Sequence, residues 1–200
     1  MSKSNEMTIS DGSPDPFAAA AAEAASNAPF LKFTKGKYYL LEVEVPPGTE
    51  FTVSKNDIAW GLVMFFGGKK LNEKIGRIAD GFKLPEREEL GDLDPAHWET
   101  DSAGKPKDPW TKQFYAPMVN VESGEPAIFV TGSKGGAAAV GGLLAQIARN
   151  PLRGNPTIAL HVREYKHPQH GRLTNPVLKV IGWEMDRPTI AREMNDVIPF

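Results

Sequence analysis

The chain has 200 residues, 23 basic and 25 acidic side chains, a formal net charge of −2 and a hydrophobic fraction of 40%. That is one domain with appendages, or at most two small domains, with enough apolar material for one core. The absence of cysteine excludes disulfides, thiolate metal sites and cysteine nucleophiles, and agrees with a reducing cytoplasm.

Residues 1–29 read as a disordered leader of Ser, Asn, Asp, Gly and Pro, followed by alanines from Ala18 to Ala25 broken only by Glu23. These alanines have no basic stretch before them and no apolar run reaches spanning length, so neither a signal peptide nor a membrane segment is expected. From Pro29 the pattern changes to short alternating runs between turn signals, which predicts a mainly β domain over residues 30–184. Tyr38 to Val45 is a first strand or strand pair, closed by Pro46-Pro47-Gly48. Phe51 to Val53 follows, and then Ile58 to Phe66, where period two puts Ile58, Trp60, Leu62, Met64 and Phe66 on one face. Gly67-Gly68 supplies a hairpin turn, with Lys69 to Ile78 as the returning strand. Residues 81–110 are too rich in Pro, Gly, Asp and Glu for an ordinary loop and predict an insertion anchored by Trp98 and Trp110.

Lys112 to Val121 and Pro126 to Thr131 form a further hairpin. Ser133 to Arg149 is the one predicted helix, with an apolar stripe of Leu143, Leu144, Ile147 and Ala148 and a stop at Asn150-Pro151. Gly141-Gly142 inside it costs about 1 kcal/mol per glycine relative to alanine, which predicts close approach of the helix to the sheet. Thr157 to Tyr165 and Val177 to Trp183 are two closing strands, and residues 185–200 are a flexible tail. This order fits an oligonucleotide-binding (OB) fold: a five-stranded barrel with one helix between the third and fourth strands, here with extra edge strands and a long insertion. A β-sandwich with one helix has the same element order.

Charge is divided along the chain. Residues 1–29 carry −3, residues 185–200 carry −1 and residues 86–108 carry −5, whereas 30–85 with 109–184 hold 17 basic against 10 acidic residues. A basic core with acidic appendages suits a nucleic-acid binder. Binding a single strand needs cations for phosphate and flat rings for unstacked bases, each stacked base contributing ~1–3 kcal/mol. Lys69, Lys70, Lys74 and Arg77 lie on one hairpin arm, and Lys166, His167, His170 and Arg172 on another. His161, Arg163 and Tyr165 alternate with the apolar Ile158, Leu160 and Val162, so they form the outward face of their strand. Phe65 and Tyr115 are the aromatic candidates for stacking, while Trp60 and Phe66 are assigned to the core. Lys134, in Thr131-Gly132-Ser133-Lys134-Gly135-Gly136, can help to hold one phosphate. The spacing of a nucleotide-hydrolysing phosphate loop is absent.

The last five residues, Asp196-Val197-Ile198-Pro199-Phe200, set an apolar tip and an acid beside the terminal carboxylate, an arrangement suited to capture by a partner. This ending resembles the acidic C-terminal tip of bacterial single-stranded DNA-binding proteins, which finish in Asp-Asp-Ile-Pro-Phe or close variants; Val197 stands where the second acid would be. The long Gly/Gln/Pro-rich linker that precedes the tip in that family is missing. Phe30-Leu31-Lys32-Phe33, Phe129-Val130-Thr131-Gly132 and Ile181-Gly182-Trp183-Glu184 resemble segments of phage proteins from replication and recombination clusters. The resemblance implies passive binding and protection of single-stranded DNA during replication, recombination or repair in the cytoplasm of a bacterial host. It also implies recruitment of replication and repair proteins through the tip.

Neither an enzyme nor a bound cofactor is expected. His167-x-x-His170 has no carboxylates clustered beside it, and the acids of 86–108 lie among prolines and glycines that suit a solvated loop better than a metal cage. Two other readings are a phage protein-interaction or structural β-module, and a metal-dependent nuclease.

Overall fold

The structure is a computed structural model that describes residues 28–167 and 171–184. The expected leader, apart from Ala28 and Pro29, and the tail from residue 185 onward lie outside the described residues. In chain order the strands are β1 (Phe30–Thr34), β2 (Lys37–Leu40), β3 (Val43–Val45), β4 (Glu50–Val53), β5 (Ala59–Phe66) and β6 (Lys69–Arg77). The insertion follows with the two short strands β7 (Glu99–Thr100) and β8 (Pro106–Lys107), and then come β9 (Trp110–Asn120) and β10 (Pro126–Thr131). Helix α1 (Lys134–Arg149) precedes β11 (Pro156–His167) and β12 (Gly171–Trp183).

The domain is mainly β, and its principal sheet has ten strands, more than the five of the sequence-based expectation. Its path runs β12-β11-β4-β9-β10-β1-β2-β3, with β5 and β6 branching from β9. The branch arises because β4 and β5 follow one another along the same edge of β9: Ala59 to Met64 pair with Tyr115 to Trp110, and Phe51 to Val53 pair with Asn120 to Met118. The 3-10 turn at Lys55–Asp57 separates them. All these ladders are antiparallel except that of β1 with β10, which the sequence did not reveal. The Gly67-Gly68 hairpin forms as expected, with both glycines at positive φ (57° and 72°).

One core joins the layers. Leu31, Tyr38, Phe51, Val53, Ile58, Phe114, Ala116, Met118, Phe129, Ile158, Leu160 and Leu178 line the inner face of the curled sheet, and Val140 and Leu143 of α1 close it. The helix is capped by Ser133, whose side-chain oxygen accepts from the Gly136 N–H at 3.0 Å, and it packs chiefly against β12. Tyr38 of β2 reaches across to the far side of the sheet. Its hydroxyl donates to the His161 carbonyl at 2.9 Å, stands 3.3 Å from the Val177 carbonyl and accepts from the Val177 N–H at 3.0 Å.

Two packing expectations are corrected. Trp60, Leu62 and Met64 do share a face, since Trp60 stands opposite Phe114 and Met64 opposite Trp110. The ladder with β6 shifts register between Met64 and Phe65, Leu71 of β6 being the extra residue, and Phe66, the last residue of β5, is 46% exposed rather than part of the core. Val63, on the other face, is fully buried, so β5 is covered on both sides. In α1, a side chain at Gly141 or Gly142 would meet open space. The close approach occurs one turn earlier, where a Cβ on Gly136 would collide with the Thr131 side chain.

The insertion is organised around Arg87. Its Nε meets Asp108 at 2.7 Å, its two terminal nitrogens donate to the carbonyls of Gly91 (2.6 Å) and Asp92 (2.8 Å), and its guanidinium lies 5.5 Å from the Trp98 ring centroid. Trp98 completes the knot by donating its indole N–H to the Asp92 carbonyl. The expected anchoring by Trp98 and Trp110 is present, the latter as a buried residue opening β9.

Burial holds the Tyr38 phenol well above its ordinary pKa of 10.0. The unfolded chain releases this proton near pH 10 while the folded chain keeps it, so folding stability is intact below pH 10 and falls as pH rises past it. Tyr115 shifts in the same direction. Tyr38→Phe should lower stability by about 1–3 kcal/mol at neutral pH, through loss of hydrogen bonds at a buried site. It should also flatten the alkaline decline in part, and urea denaturation at neutral and alkaline pH measures both effects.

Candidate nucleic-acid interface

Most of the predicted DNA contacts fall on two hairpin arms. On the β5–β6 arm, residues Lys69 to Lys74 are all exposed. Lys70 is held by Glu73 at 3.0 Å, and Arg77 lies 3.2 Å from Asp57 and 3.6 Å from Asp80. The side chains of Lys69 and Lys74 make no ion pair or hydrogen bond with any described residue. On the β11–β12 arm, Arg163, Tyr165, Lys166 and Arg172 are exposed, Lys166 facing Arg172 and Tyr165 facing Leu173 across the ladder. Its face Ile158, Leu160 and Val162 turns to the core as alternation predicts. His161 is half-buried, and its carbonyl is taken by Tyr38. The side chain of His167 and all of His170 lie outside the described residues.

The register sends the two arms in opposite directions. The β5–β6 turn lies beyond the Trp110 end of β9, whereas β11, antiparallel to β4, runs out past the Asn120 end. A strand touching both arms must therefore cross the length of β9, which for its 11 residues is about 35 Å at ~3.3 Å per residue.

A cavity of about 620 Å³ opens between the β1–β2 turn, the start of α1 and β12. The β1–β2 turn contributes Phe33, Lys35 and Gly36, the start of α1 contributes Ser133 and Gly135, and β12 contributes Arg172 to Pro176. A second cavity of about 180 Å³ adjoins it, sharing Gly135, Asn175 and Pro176 and adding Arg163. Lys35 and Arg172 line the first cavity and Arg163 the second, whereas Lys134, between Ser133 and Gly135 in sequence, lines neither. None of these four cations is paired with a described residue. Lys35 carried no signal in the sequence, because its position depends on the closure made by Tyr38.

The aromatic candidates are distributed otherwise than expected. Phe65 borders a cavity of about 200 Å³ whose charged lining is Glu99, Lys107 and Asp108. Tyr115 is half-buried, its phenol proton retained by burial and by the nearby Glu73. Trp60 and Lys112 form a constellation that sequence reasoning missed. The Lys112 ammonium lies 4.4 Å from the Trp60 ring centroid and 5.1 Å from that of Phe114, and it stays exposed. Trp60 is half-buried rather than sealed in, and its indole N–H donates to the Phe82 carbonyl at 3.1 Å. The i and i+2 alternation of β9 could have flagged Lys112, an isolated cation between Trp110 and Phe114 on the apolar face.

Among the described residues no group of three or more His, Asp or Glu side chains could hold a metal ion, and no helix is long and apolar enough to cross a membrane. The predicted partner-binding residues Asp196, Val197, Ile198, Pro199 and Phe200 lie outside the described residues. No protein-family model, curated protein or solved structure matches the chain.

Gly76, opposite Trp60 in the β5–β6 ladder, is required by the Phe82 ring, which occupies the space a Cβ would need. Gly76→Val should displace Phe82 and with it the carbonyl that holds the Trp60 indole. The expected loss of stability is about 1–3 kcal/mol, as for other overpacked sites. The accompanying change is a red shift of tryptophan emission in the folded protein, read by denaturation and fluorescence.

Proposed function

We propose that this protein binds single-stranded DNA without strong sequence preference and recruits partner proteins through its C-terminal tip. The observation that carries the reading is the distribution of cations free of described partners. Lys69 and Lys74 occupy one arm, Arg163, Lys166 and Arg172 the other, Lys35 the cleft between turn, helix and strand, and Lys134 the start of α1. Eight acids are gathered instead in 86–108, where Arg87 draws Asp108 inward. Phosphates along a strand crossing β9 would meet cations at both ends. The Trp60 ring and the exposed Tyr165 offer planar surfaces for bases, with Lys112 able to leave the indole for phosphate.

The OB-like description belongs to the same proposal. In it β4 and β5 form one bent strand, β6 is its hairpin partner, and α1 separates the β9–β10 region from the two closing strands. The mechanism is passive: protein cations replace counterions along the backbone and no bond is made or broken. The resemblance of residues 196–200 to a replication-type interaction tip supports a role in phage or prophage replication, recombination or repair. In that role Phe200 and its carboxylate act as the anchor.

Fluorescence anisotropy with labelled poly-dT and a matched duplex, at two salt concentrations in EDTA, tests the reading. Binding that prefers the single strand and weakens with salt is expected. Replacing Arg163 and Arg172 by Ala should lower the slope of log K against log salt by roughly 0.7 per phosphate contact removed. Poly-dT should also quench the tryptophan emission of the wild type, and Trp60→Phe should lose that quenching. Equal, salt-independent affinity for both nucleic acids, or none for either, would overturn the proposal in favour of a protein-interaction module.

A further inference from the structure

The principal sheet has three terminal strands, β12 and β3 at the ends of the path and β6 at the end of the branch; α1 packs against β12, which leaves β3 and β6 as the edges that neither a described strand nor the helix adjoins. Such edges present unpaired N–H and C=O groups, and proteins protect them with short strands, charges and prolines. Both edges here carry those devices. β3 has three residues, is preceded by the turn residues Leu41-Glu42 and carries Glu44, and is followed by Pro46-Pro47. β6 carries Lys69, Lys70 and Lys74. Both also expose large apolar side chains: Leu41 (72%) and Val43 (71%) at the first and Leu71 (60%) at the second.

The signs of the charges decide which pairings are blocked. Two β3 edges meeting antiparallel about Val43 would set Glu42 of each copy against Glu44 of the other. Two β6 edges meeting about Asn72 would set Lys70 against Lys74. Like charges directly opposite are destabilising, so each edge is guarded against itself. A β3 edge meeting a β6 edge has no such conflict. Glu44 is already held by Lys37 at 2.7 Å and Lys70 by Glu73, which leaves Glu42 on one edge and Lys69 and Lys74 on the other as unpaired opposite charges. The exposed Leu41 and Val43 of one copy then cover Leu71 of the other.

We propose that β3 of one copy of this chain pairs with β6 of another, a head-to-tail contact. Because the contact joins two different surfaces, every added copy leaves one β3 and one β6 free, and the assembly is an open chain rather than a closed dimer. This proposal goes beyond the DNA-binding reading and does not rest on it. Its test therefore contains no DNA.

Sedimentation equilibrium of the full chain at low salt should show a weight-average mass that rises with concentration past that of a dimer, and that falls when salt is raised. Two variants separate the ends: Glu42→Lys with Val43→Lys blocks β3, and Lys69→Glu with Leu71→Glu blocks β6. Each alone should be monomeric, while an equimolar mixture should give a one-to-one dimer and nothing larger, since only one compatible pair of edges remains. The chain has no cysteine, so a mixture of Leu41→Cys and Leu71→Cys provides an independent reading, with an inter-chain disulfide forming more in the mixture than in either alone. A wild type that stays monomeric, a wild type that stops at a dimer, or variants that cross-link equally well with themselves would each overturn the proposal.

Discussion

The Tyr38 hydroxyl closes the domain. An open sheet of this many twisted strands must curl, and here the curl brings β2 against β11 and β12, strands separated from it by four others in the sheet path. No ladder joins the two sides. Instead one side-chain oxygen, donating to the His161 carbonyl and accepting from the Val177 N–H, does at one point what a row of backbone hydrogen bonds does elsewhere. Because the ring beneath it is 1% exposed and packs edge-on to Phe33 at 4.9 Å, the hydroxyl is held by the core and does not compete with water. A hydrogen bond at such a place matters beyond its modest net energy, since breaking it strands two buried backbone groups.

The cleft is a consequence of that closure. A seam fastened by a side chain instead of a ladder leaves room beside it, and α1 fills only part of the gap. Ser133 caps the helix next to β10, and Gly136 allows the first turn to sit directly on Thr131. The rest of the seam stays open between the β1–β2 turn and β12, where Lys35 and Arg172 face one space. Fold and charge are thus linked: Lys35 and Arg172, distant in sequence, share one opening because Tyr38 draws their strands together.

Local features were the ones legible in sequence. The Gly67-Gly68 turn, the β9–β10 hairpin, the helix with its Ser133 cap and Asn150 stop, and the apolar face of β11 are written in periodicities of two and 3.6 and in turn residues, all of which act over a few positions. What depends on partners far away in sequence was not legible. The β1–β10 ladder was hidden because parallel pairing has no turn to announce it. Phe66 is the last residue of β5, beside the Gly67-Gly68 turn, and period two says which face a side chain takes but not how far the core extends along the strand. The glycines of α1 illustrate the same limit: composition marked Gly141 and Gly142, but only the docking of the helix shows that Gly136 meets another chain segment. Among the site residues, the two cationic arms followed from their hairpins, while Lys35 and the Trp60–Lys112 contact required the assembled sheet.

Strand β6 is where the two proposed activities meet, and their coupling has a definite sign. A phosphate held by Lys69 and Lys74 occupies the charges that Glu42 of a neighbouring copy would use. Through β6, therefore, DNA and a second copy oppose one another, and by linkage each weakens the other to the same degree. The β11–β12 arm and the cleft share no residue with β3 or β6, so phosphate bound there leaves edge pairing untouched. The outcome depends on which arm holds the strand more firmly. The β11–β12 side has the advantage: Arg163, Lys166 and Arg172 are free of described partners, and Lys35 and Lys134 stand nearby, whereas on β6 Glu73 already neutralises Lys70 and Asp57 and Asp80 neutralise Arg77. A strand held mainly at the cleft leaves β6 available for the next copy, and on that distribution of charge assembly and DNA binding are compatible.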